Sequence, residues 1–169
     1  MDDYLKINSR RIGPGEPTYL VAEMSANHGQ EFSQAVKVIE AAKEAGADAV
    51  KLQTYTPDTL TISSRQEFFR IAGTIWEGRT LHDLYREAYM PWEWQPKLKE
   101  VADALGLDFF STPFDFTAVD FLEELAVPVY KIASFELVDL PLLRRVAQTG
   151  KPVILSTGMA SLEEIEEGV

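Results

Sequence analysis

The chain has 169 residues, a formal net charge of −11 at pH 7, 46% hydrophobic residues and 25% charged residues, an ordinary composition for a globular domain. The acidic balance argues against nucleic acid as a partner, because phosphate backbones are bound by clustered Lys and Arg, but it permits a small anionic ligand at a local positive site. Cysteine is absent from the chain, so a disulfide framework and a thiolate metal site are excluded.

The N-terminal segment predicts a short hairpin rather than a signal or a membrane span. Its first residues, MDDYLKINS, contain no apolar core, and no apolar stretch of the chain approaches the roughly 18 residues that a span requires. No membrane partner is expected, and cytoplasm is the predicted location. Residues 4 to 13 alternate apolar and polar side chains around Asn8-Ser9, a pattern typical of a hairpin.

The next part of the chain predicts a strand, a helix and a second strand. After the turn at Gly13 to Pro17, the apolar run at 18 to 24 indicates the first strand. Residues 31 to 45 place apolar side chains on one helical face, and Gly46 is a plausible end for that helix. A second strand is predicted at 48 to 53.

The longest interval between strands runs from Tyr55 to Gly106 and contains all three tryptophans. Residues 80 to 89 are predicted to be helical, and Pro91 is expected to begin a second helix that reaches Leu105. The PWEW segment is expected to serve packing, because large aromatic side chains dominate core burial.

The last third of the chain alternates strands and helices at short intervals. Strands are predicted at 107 to 112, 127 to 133 and 152 to 156, with helices at 116 to 125, 139 to 149 and from Ser161. Ser161 followed by Glu164 is a capping-box pattern that marks a helix start. This alternation predicts an α/β fold with a parallel sheet.

Each of the five longer strands ends in polar side chains. These are, in chain order, Glu23 and Ser25, Lys51 and Gln53, Ser111 and Thr112, Lys131 and Ser134, and Ser156 and Thr157. Because the carboxyl ends of parallel strands converge on one face, we expect these residues to form a single site. The chain therefore has the pattern of an enzyme.

Two architectures are compatible with five βα units. A flavodoxin-like open sheet fits the length, whereas a TIM-type (β/α)8 barrel needs about 250 residues. However, the loop after the first strand, SANHGQE, has one glycine rather than a Gly-rich phosphate loop, and Lys51 and Gln53 lie on the strand itself. The sequence also ends inside a predicted helix. We therefore predict the first five βα units of a (β/α)8 barrel, preceded by the hairpin.

The motifs AEMSANHGQ, KLQTYTPDT, STPFD, KIASFE and STGM, in this order, resemble those of the sialic acid synthase family. Within it, KIASFELVDLPLL and LYREAYMPWEW are more similar to the pseudaminic acid branch than to the N-acetylneuraminate branch. The resemblance implies a homodimer whose subunits carry a (β/α)8 barrel and an antifreeze-like domain. Residues 1–169 would be the N-terminal part of that barrel, without its last strands or the second domain.

The resemblance also implies the reaction. Family members condense phosphoenolpyruvate with an open-chain N-acetylated amino sugar and use a divalent metal, Mn²⁺, Co²⁺ or Mg²⁺. For the pseudaminic acid branch the sugar is 2,4-diacetamido-2,4,6-trideoxy-altrose, and phosphate leaves by C–O cleavage. N-acetylneuraminate or legionaminic acid synthesis remains an alternative. A non-catalytic, flavodoxin-like phosphate-binding module is a second alternative, disfavoured because Glu23 and Glu136 would repel an anion.

The chemistry of phosphoenolpyruvate assigns several of these residues to its binding. Lys51 and Lys131 can hold the phosphate as compact positive charges, and Thr112 and Ser134 add hydroxyl donors. By resemblance these four residues and Gln53 belong to the substrate site. Ser156 is also assigned to substrate binding, with an ordinary N-terminal helix cap as the alternative.

Two carboxylates, Glu23 and Glu136, match catalytic positions of the family. Phe135 stands where the sialic acid branch has glycine, and an apolar ring there is expected to favour a 6-deoxy sugar. The family's metal is expected to be held by histidines of later strands, so no metal ligand is assigned in this chain. Of its two histidines, His82 is expected on a helix surface, and His28 alone would not make a metal site.

Overall fold

The computed structural model describes residues 4–169, and seven strands and seven α-helices occur in that part of the chain. The strands are β1 (Leu5–Ile7), β2 (Arg10–Ile12), β3 (Val21–Glu23), β4 (Ala49–Thr54), β5 (Asp108–Pro113), β6 (Tyr130–Ile132) and β7 (Val153–Leu155). The helices are α1 (Phe32–Glu44), α2 (Pro57–Leu60), α3 (Leu81–Ala88), α4 (Gln95–Ala104), α5 (Phe116–Glu124), α6 (Leu140–Ala147) and α7 (Leu162–Gly168).

The strand order of the main sheet distinguishes the two predicted architectures. The strands lie in the order β3-β4-β5-β6-β7, and each is parallel to its neighbours. A doubly wound sheet reverses its order at a switch point, whereas barrel strands follow one another in chain order. The sheet is therefore a series of TIM-barrel strands, as predicted, and the flavodoxin-like alternative is wrong.

The alternating side chains of β4 determine which face of the sheet packs against the helices and which face is on the inside of the barrel. Val50 and Leu52 are completely buried, and they point to the opposite face from Lys51 and Gln53 because side chains alternate along a strand. In the register with β5, Lys51 lies opposite Phe110 and Gln53 opposite Thr112. These four side chains share the inner face, and the outer face packs against the helices.

Helix α1 covers the outer face with a stripe of apolar residues at helical spacing. Ala35, Ile39 and Ala42 are its buried residues, and full burial of a side chain such as Ile39 contributes about 1.5–3 kcal/mol. The helix ends where predicted, since Gly46 adopts a φ of +83° that a residue with a Cβ rarely adopts. The predicted helix and its apolar face are confirmed.

The N-terminal hairpin covers the amino ends of the barrel strands. Ile7 is buried in the core. Asn8 donates a hydrogen bond of 2.5 Å to Asp108, and Arg10 forms a 2.5 Å ion pair with Asp48. Both carboxylates lie where a barrel strand begins, so the hairpin is on the side opposite the strand ends that carry the predicted site.

Most predicted elements are present with small differences in length. The strand predicted at 127 to 133 is shorter and spans Tyr130–Ile132, although the residues before it, Val127 and Val129, are buried in the core. The short helix α2 was not predicted from the sequence. No helix within residues 4–169 has the length and apolar character needed to cross a membrane.

Candidate active site

Polar side chains from four adjacent strands meet at the carboxyl end of the sheet. β3 provides Glu23, β4 provides Lys51 and Gln53, β5 provides Thr112, and β6 provides Lys131. The structure therefore brings together these five of the residues that the sequence predicts to converge.

Glu23 and Lys51 form an ion pair across β3 and β4. The two residues are register partners, and the Lys51 Nζ lies 3.3 Å from a carboxylate oxygen of Glu23. The Lys51 side chain is only 9% exposed, whereas that of Glu23 is 58% exposed. A buried ammonium needs a partner, and the accessible carboxylate of Glu23 provides one while it stays open to solvent.

Lys131 is held by its neighbours on β6 and β7. Its ammonium donates a hydrogen bond of 2.6 Å to the Ser156 hydroxyl and another to the Ile132 carbonyl. Burial lowers the pKa of Lys131, and the charge of Lys51 lowers it further, while Glu23 and Glu136 oppose that change. Two ammonium groups that repel each other would both be stabilised by a phosphate dianion between them.

Glu136 lies in the turn after β6 with its carboxylate largely enclosed. Its Oε2 atom is buried and has no hydrogen-bond partner among residues 4–169. Burial raises the pKa of Glu136, Asp139 adds to the increase, and Lys131 opposes it. A carboxyl group whose pKa is raised by burial holds its proton more tightly than an exposed one and is suited to donate or exchange it.

The remaining predicted residues lie at different depths. Thr112 is almost completely buried on the inner face, and Ser134 is half-buried in the turn after β6. Ser111 does not belong with them. It is on the outer face, 2.7 Å from the Thr54 hydroxyl, and the prediction that it joins the site is wrong because alternate residues of β5 face opposite sides.

A cavity of about 750 Å³ lies at the carboxyl end of the sheet. Gln53, Phe135 and Glu136 line one side of it. The other walls come mainly from the long interval between β4 and β5 and include Tyr55, Trp76, Leu81, Leu84, Tyr85 and Ala88, together with Phe114 and Ala133. We call this space the aromatic chamber. Leu81, Leu84, Tyr85 and Ala88 have the helical spacing of α3, but the sequence did not show that this face of the helix lies at the site, nor that Trp76 does.

The described residues do not complete a metal site. Within residues 4–169, no group of three or more His, Asp or Glu side chains could hold a metal ion. His28 is buried, its Nδ1 accepts a hydrogen bond from the Gln30 amide, and its ring packs edge-on against Trp94. Burial lowers the pKa of His28. These contacts hold His28 in the packed interior.

The second histidine is more enclosed than predicted. His82 lies 2.9 Å from an Asp58 carboxylate oxygen, and its side chain is only 12% exposed. It joins α3 to α2 rather than lying free on a helix surface.

The strand order defines a protein of TIM-barrel strands whose carboxyl ends carry lysines and carboxylates. The chain belongs to the NeuB family, whose family model matches residues 38–169. The resemblance to the sialic acid synthases is therefore confirmed.

The chain is similar to several known members of that family. It is 47% identical over 154 residues to a pseudaminic acid synthase from Helicobacter pylori, an alignment that covers 91% of this chain and 45% of the relative. It is 34% identical over 165 residues to an N,N'-diacetyllegionaminic acid synthase from Legionella pneumophila, covering 97% of this chain and 46% of the relative. The chain thus spans less than half the length of these relatives.

The fold is similar to that of a solved family member. An N-acetylneuraminic acid synthetase from Leptospira borgpetersenii, crystallised in complex with citrate, aligns with a TM-score of 0.83 at 30% identity. The alignment covers 98% of this chain and 53% of that protein.

Proposed function

We propose that this chain is the N-terminal barrel part of a synthase that condenses phosphoenolpyruvate with 2,4-diacetamido-2,4,6-trideoxy-altrose to give pseudaminic acid and phosphate. The observation that carries the proposal is the arrangement of Lys51 and Lys131 beside Glu23 at the carboxyl ends of the strands. The higher identity to a pseudaminic acid synthase than to a legionaminic acid synthase favours the pseudaminic acid product.

The reaction makes specific demands on the site. C3 of phosphoenolpyruvate attacks the sugar aldehyde, water adds to C2, and the resulting tetrahedral centre expels phosphate by cleavage of its C–O bond. The aldehyde oxygen gains a proton and the attacking water loses one, so the site must bind phosphate and also exchange protons.

The residues at the strand ends can meet these demands. Lys51 and Lys131 would bind the phosphate and carboxylate of phosphoenolpyruvate, with hydroxyl donors from Thr112, Ser134 and Ser156. The Glu23 side chain is 58% exposed, so water can reach its carboxylate and transfer a proton to it. Glu136, whose pKa is raised by burial, would exchange a proton with the sugar. Gln53 would orient the sugar by its amide.

Several features of the complete enzyme belong to the proposal. It would use a divalent metal, Mn²⁺, Co²⁺ or Mg²⁺, for which residues 4–169 provide no complete ligand set. It would act as a cytoplasmic homodimer and carry an antifreeze-like domain after the barrel. N-acetylneuraminate or legionaminic acid synthesis is the alternative activity. A non-catalytic phosphate-binding module is disfavoured by the enclosed carboxylate of Glu136.

Product analysis with isotopic labelling tests the proposed function. The complete enzyme is incubated with phosphoenolpyruvate labelled with ¹⁸O at the bridging oxygen, and separately with the sugar precursor of pseudaminic acid, of legionaminic acid and of N-acetylneuraminate. We expect the diacetamido-trideoxy sugar to be consumed and the label to appear in released phosphate. Unlabelled phosphate would contradict C–O cleavage, and the absence of product with all three sugars would contradict synthase activity.

A further inference from the structure

The aromatic chamber differs in chemistry from the phosphate-binding part of the site. Neither Lys51 nor Lys131 lines it, and its walls are mainly aromatic and aliphatic. Among residues 4–169, Glu136 is the one charged residue that lines it. Phosphoenolpyruvate carries several negative charges, so an apolar space with a carboxylate is unsuited to it. The chamber fits an uncharged ligand group with apolar surface.

Aromatic contacts hold one wall of the chamber in place. The Tyr55 ring is buried and makes edge-to-face contacts with Tyr85 at 5.8 Å and with Phe114 at 5.4 Å between ring centroids. The Tyr55 carbonyl also accepts a 3.0 Å hydrogen bond from the Trp92 indole. These contacts fix the ring positions before a ligand binds, which lowers the entropic cost of binding.

Two aromatic side chains that line the chamber remain accessible to solvent. Trp76 is 43% exposed and Phe135 is 71% exposed, although both line the cavity. Large aromatic side chains that are left open around a concave space are typical of ligand sites, where they pack on apolar parts of the ligand. The volume of about 750 Å³ is within the range of roughly 300–1,000 Å³ for small-molecule sites.

We propose that the aromatic chamber binds the acetamido and 6-deoxy groups of the sugar substrate, and that Trp76 determines which amino sugar is accepted. This inference rests on the proposed function. The acetamido methyls and the C6 methyl are the apolar groups that such a sugar carries, and each can pack on an aromatic ring. Gln53 and Glu136 at the chamber's edge connect it to the reacting end of the site. The sugar would thus extend from the strand ends toward α3.

Two variants of the complete enzyme test the inference. Trp76→Ala removes a wall, and Ala88→Leu narrows the chamber from the end of α3. For each we expect the KM for the diacetamido-trideoxy sugar to rise about 10- to 100-fold, the KM for N-acetylmannosamine to rise less, and the KM for phosphoenolpyruvate to stay unchanged. The matched controls are Ile75→Ala, at an 89% exposed position beside Trp76, and Ala104→Leu, at an exposed position on α4.

The outcomes separate the inference from the proposed function. Native enzyme that forms no product with any sugar overturns the proposed function. Suppose that the native enzyme is active. The chamber assignment is overturned if both variants have the same KM for the sugar as their controls. It is also overturned if the KM for phosphoenolpyruvate rises as much as the KM for the sugar. A thermal melt shows whether each variant is folded. If Trp76→Ala does not fold, the Ala88→Leu result decides alone.

Discussion

The ammonium group of Lys131 on β6 donates a 2.6 Å hydrogen bond to the hydroxyl of Ser156, which directly follows β7. The side chains of two adjacent barrel strands thus position a single positive charge. Because Lys131 also experiences the charges of Lys51, Glu23 and Glu136, the strand ends behave as one electrostatic unit. A substitution at one of these residues should therefore change the electrostatic environment of the other three.

The two lysines are expected to dominate phosphoenolpyruvate binding. In the complete enzyme, Lys51→Ala and Lys131→Ala should each raise the KM for phosphoenolpyruvate and lower kcat. A charge-assisted hydrogen bond contributes about 1.5–3 kcal/mol, so the expected loss in kcat/KM is about 10- to 150-fold. Steady-state kinetics provide the measurement, with Lys99→Ala as the control because Lys99 pairs with Asp103 on the outer helix α4. Unchanged kinetics in either site variant would show that lysine to be structural.

The lowered pKa of Lys131 predicts a pH dependence of substrate capture. Phosphate is bound by the charged ammonium, and burial together with Lys51 lowers the pKa of Lys131 below its usual value. The kcat/KM for phosphoenolpyruvate, which reports the free enzyme, should therefore fall as pH rises through that lowered pKa. In Lys131→Arg the guanidinium remains charged, so this alkaline decline should move to higher pH. An alkaline limb at the same pH in both enzymes would contradict the assignment.

Burial of Glu136 predicts that this residue lowers the stability of the fold while it supports activity. Its pKa is raised in the folded protein, so ionisation of this carboxyl group destabilises the fold at pH values above that pKa. Glu136→Gln removes this penalty, and its thermal midpoint should exceed the native value at neutral pH. The difference should shrink as the pH falls below the ordinary pKa of a glutamate, where the carboxyl group is protonated in both the folded and the unfolded state.

The same Glu136→Gln variant should lose synthase activity, because an amide cannot exchange the required proton. Glu100→Gln, at an exposed position on α4, is the control and should change neither stability nor activity. A Glu136→Gln enzyme with native kcat would show that Glu136 does not take part in the chemistry.

Phe135 is expected to influence the choice of sugar. Its ring lines the aromatic chamber and is otherwise uncovered, so its removal should weaken packing on a C6 methyl group. Such a contact shifts selectivity by about 1–3 kcal/mol, or about 5- to 150-fold. The ratio of kcat/KM for 2,4-diacetamido-2,4,6-trideoxy-altrose to that for N-acetylmannosamine should fall in Phe135→Gly. Phe68→Gly, at an exposed position outside the chamber, is the control and should keep the native ratio. Equal ratios in the native enzyme, Phe135→Gly and Phe68→Gly would contradict a role of Phe135 in the choice of sugar.

The sequence predicted those features that depend on local periodicity. The apolar stripe of α1 and the alternation of Lys51 and Gln53 with Val50 and Leu52 both follow from repeat lengths of 3.6 and 2 residues. The strand-end lysines could be found because parallel strands bring their carboxyl ends together. Local pattern was therefore sufficient for the barrel strands and for placing the charged side chains at their carboxyl ends.

The aromatic chamber could not be predicted in the same way. Trp76 and Tyr85 come from an interval whose path is set by contacts between distant residues, such as the Asp58–His82 pair that joins α2 to α3. The face on which Ser111 lies depends on the register of β5 against β4. A shift of one residue in this register would place Ser111 on the inner face and Thr112 on the outer face. No feature of the STP motif alone distinguishes these two registers.

The opposite faces of Ser111 and Thr112 predict opposite effects for two neighbouring substitutions. Ser111 is completely buried on the outer face of the sheet. The Thr54 hydroxyl donates its hydrogen bond to the Gln95 side-chain oxygen at 2.9 Å, so the hydrogen bond between the Ser111 and Thr54 hydroxyls is donated by Ser111. Ser111→Ala should lower the free energy of unfolding by about 1–3 kcal/mol, since Thr54 loses a buried partner. Its KM for phosphoenolpyruvate should be unchanged. Thr112→Ala should instead reduce kcat/KM by about 3- to 10-fold. Chemical denaturation and steady-state kinetics on both variants provide the measurement, and a kinetic defect in Ser111→Ala with none in Thr112→Ala would reverse the assignment of the two faces.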